Sequence, residues 1–316
     1  MSRKLACLAS VAAVLACTLT VGSGRADAAV LVGVADQNPG LFSQPLFNQL
    51  RVKRSRAFPP WNVALNRRQA AGLDAWLDAA RAARVQPLIS FSQSIGSRCP
   101  RKPCKLPTVR EFTRAFRAFR KRWRFVKVIS PWNEANHRSQ PTFKNPKRAA
   151  QYYNVVRKYC RGCKIVAADV IDERNMERWL ATFRRTAIRP RLWGLHNYRD
   201  TNPRRGQLFG GTRRLVRAVR GQIWLTETGG LARFVLPSGG TLFPYSLSRQ
   251  NRAVRRMFSL AKRYRSRIKR LYIYNWFGQP RSGGNRFDAG LINPDGSPRP
   301  AYTTVRRMLR TSTFNP

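Results

Sequence analysis

Acid is what this chain lacks. Its 316 residues include 14 Asp and Glu against 61 Lys and Arg, a formal charge of +47. Only five are glutamates: Glu111, Glu134, Glu173, Glu177 and Glu227. Histidine is scarcer still, with His137 and His196 alone. After residue 21 no apolar run is long enough to span a bilayer. No glycine-rich phosphate loop follows the first apolar run, since "VADQNPGLF" makes a poor one, and this disfavours a doubly wound nucleotide-binding sheet. The positive charge is scattered, with no basic block and no recognised nucleic-acid motif, so no specific nucleic-acid partner is expected.

What is present supports a large folded domain. Apolar residues make up 43%, with eight Trp and nine Tyr, enough for a real core. Residues 1–28 read as a secretory signal peptide: Arg3 and Lys4, an apolar stretch from Leu5 to Val21, then Ala26-Asp27-Ala28 as a small-x-small cleavage pattern. An uncleaved anchor and a lipid-modified Cys17 are the competing readings, and either would be the chain's route to a membrane. Export makes disulfides the natural state of Cys99, Cys104, Cys160 and Cys163. Three connectivities are possible, and the local pairs 99–104 and 160–163 are favoured over a redox or zinc role for Cys160-Arg-Gly-Cys163. The charge itself has two readings, a GC-rich coding bias toward Arg or a selected affinity for polyanions or the cell envelope.

Short apolar runs alternate with amphipathic ones. Strands are predicted at 30–36, 50–58, 85–92, 124–134, 164–170, 192–198, 222–228 and 270–278. Helices are predicted at 69–83, 110–123, 146–159, 172–183, 208–219, 248–264 and 301–309, with a weak one near 44–50. Eight strand–helix units in one domain from 29 to 316 match a (β/α)8 TIM barrel. Loops 94–107 and 229–247 are long, and in a barrel the loops after strands lie on the face that carries the site.

Polar residues close several of these strands: Asp36, Arg56, Asn133-Glu134, His196-Asn197-Tyr198, Thr226-Glu227 and Asn275-Trp276. Two glutamates meeting at one mouth of an acid-poor chain suit glycosidic cleavage, in which one protonates the leaving oxygen and the other attacks the sugar. Each residue also has a bland reading: paired surface acids for Glu134 and Glu227, a core histidine for His196, packing aromatics for Tyr198 and Trp276, a structural ion pair for Arg56.

The ordered pair "WNE" and "WLTETG", with "LHNY" and "YNWF", resembles glycoside hydrolase clan A, the retaining barrel enzymes with glutamates after strands four and seven. The resemblance implies Glu134 as acid/base and Glu227 as nucleophile in a double displacement on β-glycosidic bonds of a polysaccharide or oligosaccharide. It implies Asn133 on the sugar 2-hydroxyl, Arg56 beside the nucleophile, His196 and Tyr198 lining the site with Tyr198 bonded to the nucleophile, and Trp276 as the floor under the sugar. Neither a cofactor nor a metal is expected. For its role, Glu134 should rest protonated, its pKa raised by Trp132 and the charge of Glu227. A non-catalytic barrel that holds acidic glycans or the cell envelope through its charge is the alternative.

Overall fold

The structure is a computed structural model and describes residues 29–204, 209–281 and 286–316. The expected signal peptide, residues 1–28, lies outside the described residues, as does Leu208 at the start of one expected helix. No helix among the described residues is long and apolar enough to cross a membrane.

The apolar runs form a parallel sheet: β1 (Val30–Ala35), β2 (Arg54–Ala57), β3 (Gln86–Ser90), β4 (Val128–Ser130), β5 in two pieces (Lys164–Ile165 and Asp169–Ile171), β6 (Leu192–His196), β7 (Gln222–Thr228) and β8 (Ile268–Tyr274). Neighbours pair in the order β4-β3-β2-β1-β8-β7-β6. The two ends of the sheet are the two pieces of β5, the first on β4 and the second on β6. Between them Val166 N bonds to Ile129 O, and Ala167 N bonds to Leu192 O. The strand thus crosses from one neighbour to the other, and the sheet curls into a barrel. A short terminal strand, Phe314–Asn315, adds to β1.

The helices are α1 (Pro45–Gln49), α2 (Arg67–Ala82), α3 (Val109–Arg122), α4 (Pro146–Tyr159), α5 (Met176–Thr186), α6 (Gly211–Ala218), α7 (Leu247–Arg263) and α8 (Pro300–Met308), and a four-residue helical turn, Tyr198–Thr201, follows β6. Their starts are written in the sequence. Asn66 and Ser246 cap α2 and α7, Thr108 and Glu111 form a capping box on α3, and Pro opens α1, α4 and α8; each satisfies or removes an orphan N–H of the first turn. α5 begins four residues later than expected, because Asp172 is buried and accepts the N–H groups of Arg199 and Asp200 instead of opening a helix.

Two apolar clusters result. The larger joins the outer face of the sheet to helix stripes such as Leu73, Trp76 and Leu77 of α2, and Phe112, Phe116 and Phe119 of α3. A smaller one inside the barrel contains Leu88, Val128, Val166, Trp224 and Tyr272. Cover on both faces is why the strands read as near-continuous apolar runs. The favoured cysteine pairs, 99–104 and 160–163, are bonded. The long loop after β7 holds two strands, Arg233–Val235 and Thr241–Phe243, which form a small antiparallel sheet with Phe287–Asp288 from the loop after β8.

Candidate active site

At the C-terminal ends of the strands one cation organises the polar groups. Arg56, the third residue of β2, has no exposed surface. Its Nε donates to Ser90 Oγ at 3.1 Å and its Nη1 to Glu227 Oε2 at 2.7 Å. Its Nη2 donates to Asn133 Oδ1 and reaches Asp169 Oδ2 at 3.3 Å. A planar guanidinium can hold four such partners in fixed directions.

The segment after β4 then sets Glu134. Asn133 N donates to Phe91 O at 2.6 Å, and Ala135 N to Asp169 O at 2.9 Å. Asn136 exchanges hydrogen bonds with both backbone groups of Ile171, extending the edge of β5 with a side chain. Pinned on both sides, Glu134 takes φ +47°, in the left-handed region uncommon for residues other than glycine. Trp132 turns away into the core, stacked on Tyr152.

His196, at the end of β6 and fully buried, links the acids. Its Nδ1 lies 3.1 Å from Glu134 Oε1 and 3.9 Å from Glu227 Oε2, and its Nε2 lies 3.3 Å from Asp169 Oδ1. One oxygen of Glu134, one of Glu227 and a ring nitrogen of His196 lie within 4.8 Å of one another. Tyr198 OH donates to Glu227 Oε1 at 2.9 Å. Both oxygens of Glu227 are therefore hydrogen-bonded, one by a cation and one by a phenol.

The electrostatics follow from two buried cations among three carboxylates. Burial alone lowers His196, but the charges of Asp169 and Glu227, with hydrogen bonds to Asp169 and Glu134, push its pKa up to about 10. Burial raises Asp169, yet His196, Arg56 and the Thr226 hydroxyl hold it well below the usual carboxylate range. Burial also raises Glu134, and the hydrogen bond from His196 with the charges of His196, His137 and Arg56 outweighs it, so this carboxyl is held below its ordinary value. The expected raised Glu134 is thus reversed: its neighbour is the imidazole of His196 rather than the face of Trp132. Tyr198 remains a phenol, pushed well up by burial and then by the charge of Glu227.

Other sequence expectations divide. Arg56 and Tyr198 bond Glu227 as expected. Arg56 and His196 are too deeply buried to touch a ligand directly; they lie behind the carboxylates. Trp276 corrects the expectation of a floor. It has no exposed surface and packs edge-on against Phe47 and Tyr302, while its backbone N–H is held by Asp36. The aromatic that closes β8 beside the site is Tyr274, half-buried, flanked by Phe58 and Phe287, and feeling the charge of Glu227. Phe287 also meets Tyr198 edge-on, so these four rings wall one side of the mouth. Sequence reading missed Tyr274 and Asp169, the latter a lone acid within the run "KIVAADV".

No protein-family model matches the chain, and no curated protein matches it by sequence. Solved structures do. Xylanase B from Clostridium stercorarium F9 aligns at TM-score 0.63 and 13% identity, over 88% of this chain and 96% of that one. A GH39 β-xylosidase from Caulobacter crescentus aligns at TM-score 0.64 and 13% identity, over 90% and 71%. A psychrophilic family 10 endo-β-1,4-xylanase aligns at TM-score 0.61 and 12% identity, over 89% and 96%. Likeness at this identity speaks for architecture, and it identifies the chain as a (β/α)8 barrel of the kind those xylanases and that xylosidase share.

Proposed function

We propose that the chain is a secreted retaining glycoside hydrolase acting on β-glycosidic bonds of a polysaccharide or oligosaccharide. The observation that carries this is the approach of the Glu134 and Glu227 oxygens to within 4.8 Å. Retaining enzymes hold their carboxyl groups about 5–5.5 Å apart, whereas inverting ones leave about 6.5–9.5 Å for a water.

Glu227, aligned by Arg56 and Tyr198, attacks the anomeric carbon. The bond to the leaving oxygen breaks as that oxygen takes the proton of Glu134, leaving a glycosyl ester on Glu227. Water then attacks the same carbon, Glu134 takes its proton, and Glu227 leaves as a carboxylate. A bound sugar covers Glu134, whose side chain is 20% exposed, and burial favours the neutral acid that the first step needs. Ester formation cancels the charge of Glu227 and favours the ionised base that the second step needs. Asn133 keeps its Nδ2 for the sugar 2-hydroxyl, since its Oδ1 is taken by Arg56.

The neighbours named for xylan and xyloside cleavage make β-xylosides and xylan the first substrates to assay, followed by uronic-acid polymers. The cationic surface adds non-specific attraction to anionic polymers and the cell envelope. Export through residues 1–28 belongs to the same proposal and agrees with two disulfides.

Glu227→Gln should lower kcat by about 10⁴-fold or more while glycan binding persists. Proton NMR of the first-formed sugar should show retention; an inverted product would remove the two-step reaction. An absence of turnover across neutral and acidic glycans would leave the barrel as a binding protein.

A further inference from the structure

The chain's two histidines both face Glu134. His196 lies behind it, fixed by Asp169. His137 lies in front, three residues on, where the left-handed turn at Glu134 and the His137 N to Glu134 O hydrogen bond of 2.8 Å bring it round. His137 Nδ1 is 3.8 Å from Glu134 Oε2, and its Nε2 is 3.7 Å from Glu173 Oε1 on the loop after β5. Glu173 in turn lies 3.7 Å from Nη2 of Arg199, in the short helix Tyr198–Thr201 that follows β6. Ser139 Oγ sits 2.7 Å from His137 Nδ1 and steadies the ring.

Distances of 3.7–3.8 Å are too long for hydrogen bonds and suit charge–charge coupling or a single bridging water. The charged groups around His137 are Glu134 on its own loop, Glu173, and Arg199 behind Glu173. Arg56 and His196 face Glu134 from the inner side. With 61 Lys and Arg available, the group set against the outer oxygen of Glu134 is nevertheless an imidazole, short, planar and held by Ser139.

We propose that His137, held between Glu134 and Glu173, is a positioning residue that sets the pH at which Glu134 surrenders its proton. Its positive charge favours the carboxylate and makes Glu134 the stronger acid. Glu173, 3.7 Å from its Nε2, keeps the ring oriented. The inference rests on the reading of Glu134 as acid/base only for its catalytic consequence, because the coupling exists without substrate.

Scarce glutamate makes the test direct. Labelling with carboxyl-¹³C glutamate gives few signals, and Glu134 is identified by the one lost in Glu134→Gln. His137→Gln should raise the Glu134 titration midpoint by about 0.5–1 pH unit. His137→Lys should keep it near the parent value. The alkaline limb of kcat/KM on phenyl β-xyloside should move with the midpoint. An unchanged midpoint in a His137→Gln protein with native near-UV circular dichroism overturns the proposal; should that variant not fold, an unchanged midpoint in His137→Asn does so. If the midpoint moves but neither the parent nor any variant hydrolyses glycosides, the coupling stands and the acid/base reading of Glu134 falls.

Discussion

Arg56 shows how much of the site depends on one side chain. It has no exposed surface and touches two carboxylates, Asp169 and Glu227. Removing one partner of a buried ion pair costs about 3–5 kcal/mol, because the other charge remains without compensation. Arg56→Met should lose stability of that order in urea unfolding. His196 adds a pH signature. Its folded-state pKa is raised to about 10 from an unfolded value of about 6.5, so its stabilisation is complete below about pH 6.5 and is lost as pH rises toward 10. Unfolding free energy should fall across that window, and His196→Gln should flatten the slope. Glu134, Glu227 and Tyr198 stand out in the sequence because each is a polar residue closing an apolar run, whereas Arg56 lies within an alternating strand and is picked out only by the family resemblance. Asp169 does not stand out, because a single acid inside "KIVAADV" carries no sign that Arg56, His196 and Thr226 will converge on it. Trp276 was misplaced for a related reason: past the end of β8 the chain turns, and nothing in "YNWF" tells whether the Tyr or the Trp faces the mouth.

At the scale of elements, the eight units were readable because a parallel sheet covered on both faces leaves apolar runs in the sequence. The break in β5 was not readable. It arises because β4 ends at Ser130, so the later part of β5 pairs with β6 and takes Asn136 and Ala135 N–H as its other partners. The small sheet in the loop after β7 was hidden too, since its strands are only two or three residues long and the third comes from the distant loop after β8. Gly194 of β6 tests how closely these strands are fitted. A Cβ there would run into the Asp169 carboxylate and the Thr226 hydroxyl. Gly194→Ala should cost about 1–3 kcal/mol, as overpacking does, and should depress activity more than stability alone explains, because it displaces the acid that holds His196. Denaturant midpoints set beside kcat/KM separate the two effects.

For the whole molecule, acids are drawn inward. Asp169, Asp172, Asp200 and Glu227 are buried, which leaves the outside overwhelmingly cationic. Self-repulsion at that charge weakens the compact state, and salt screens it over about 10 Å at 0.1 M. The melting temperature should therefore climb as ionic strength goes from about 10 to 200 mM, measured by scanning calorimetry at neutral pH; a flat response would mean that local pairing already neutralises the surface field. The split β5 has a separate consequence. Both margins of the main sheet belong to one continuous stretch of chain, so the ring offers no bare ladder onto which a foreign strand could zip. Fibril-type templating, the hazard of open sheets, would first require that ring to be pried apart.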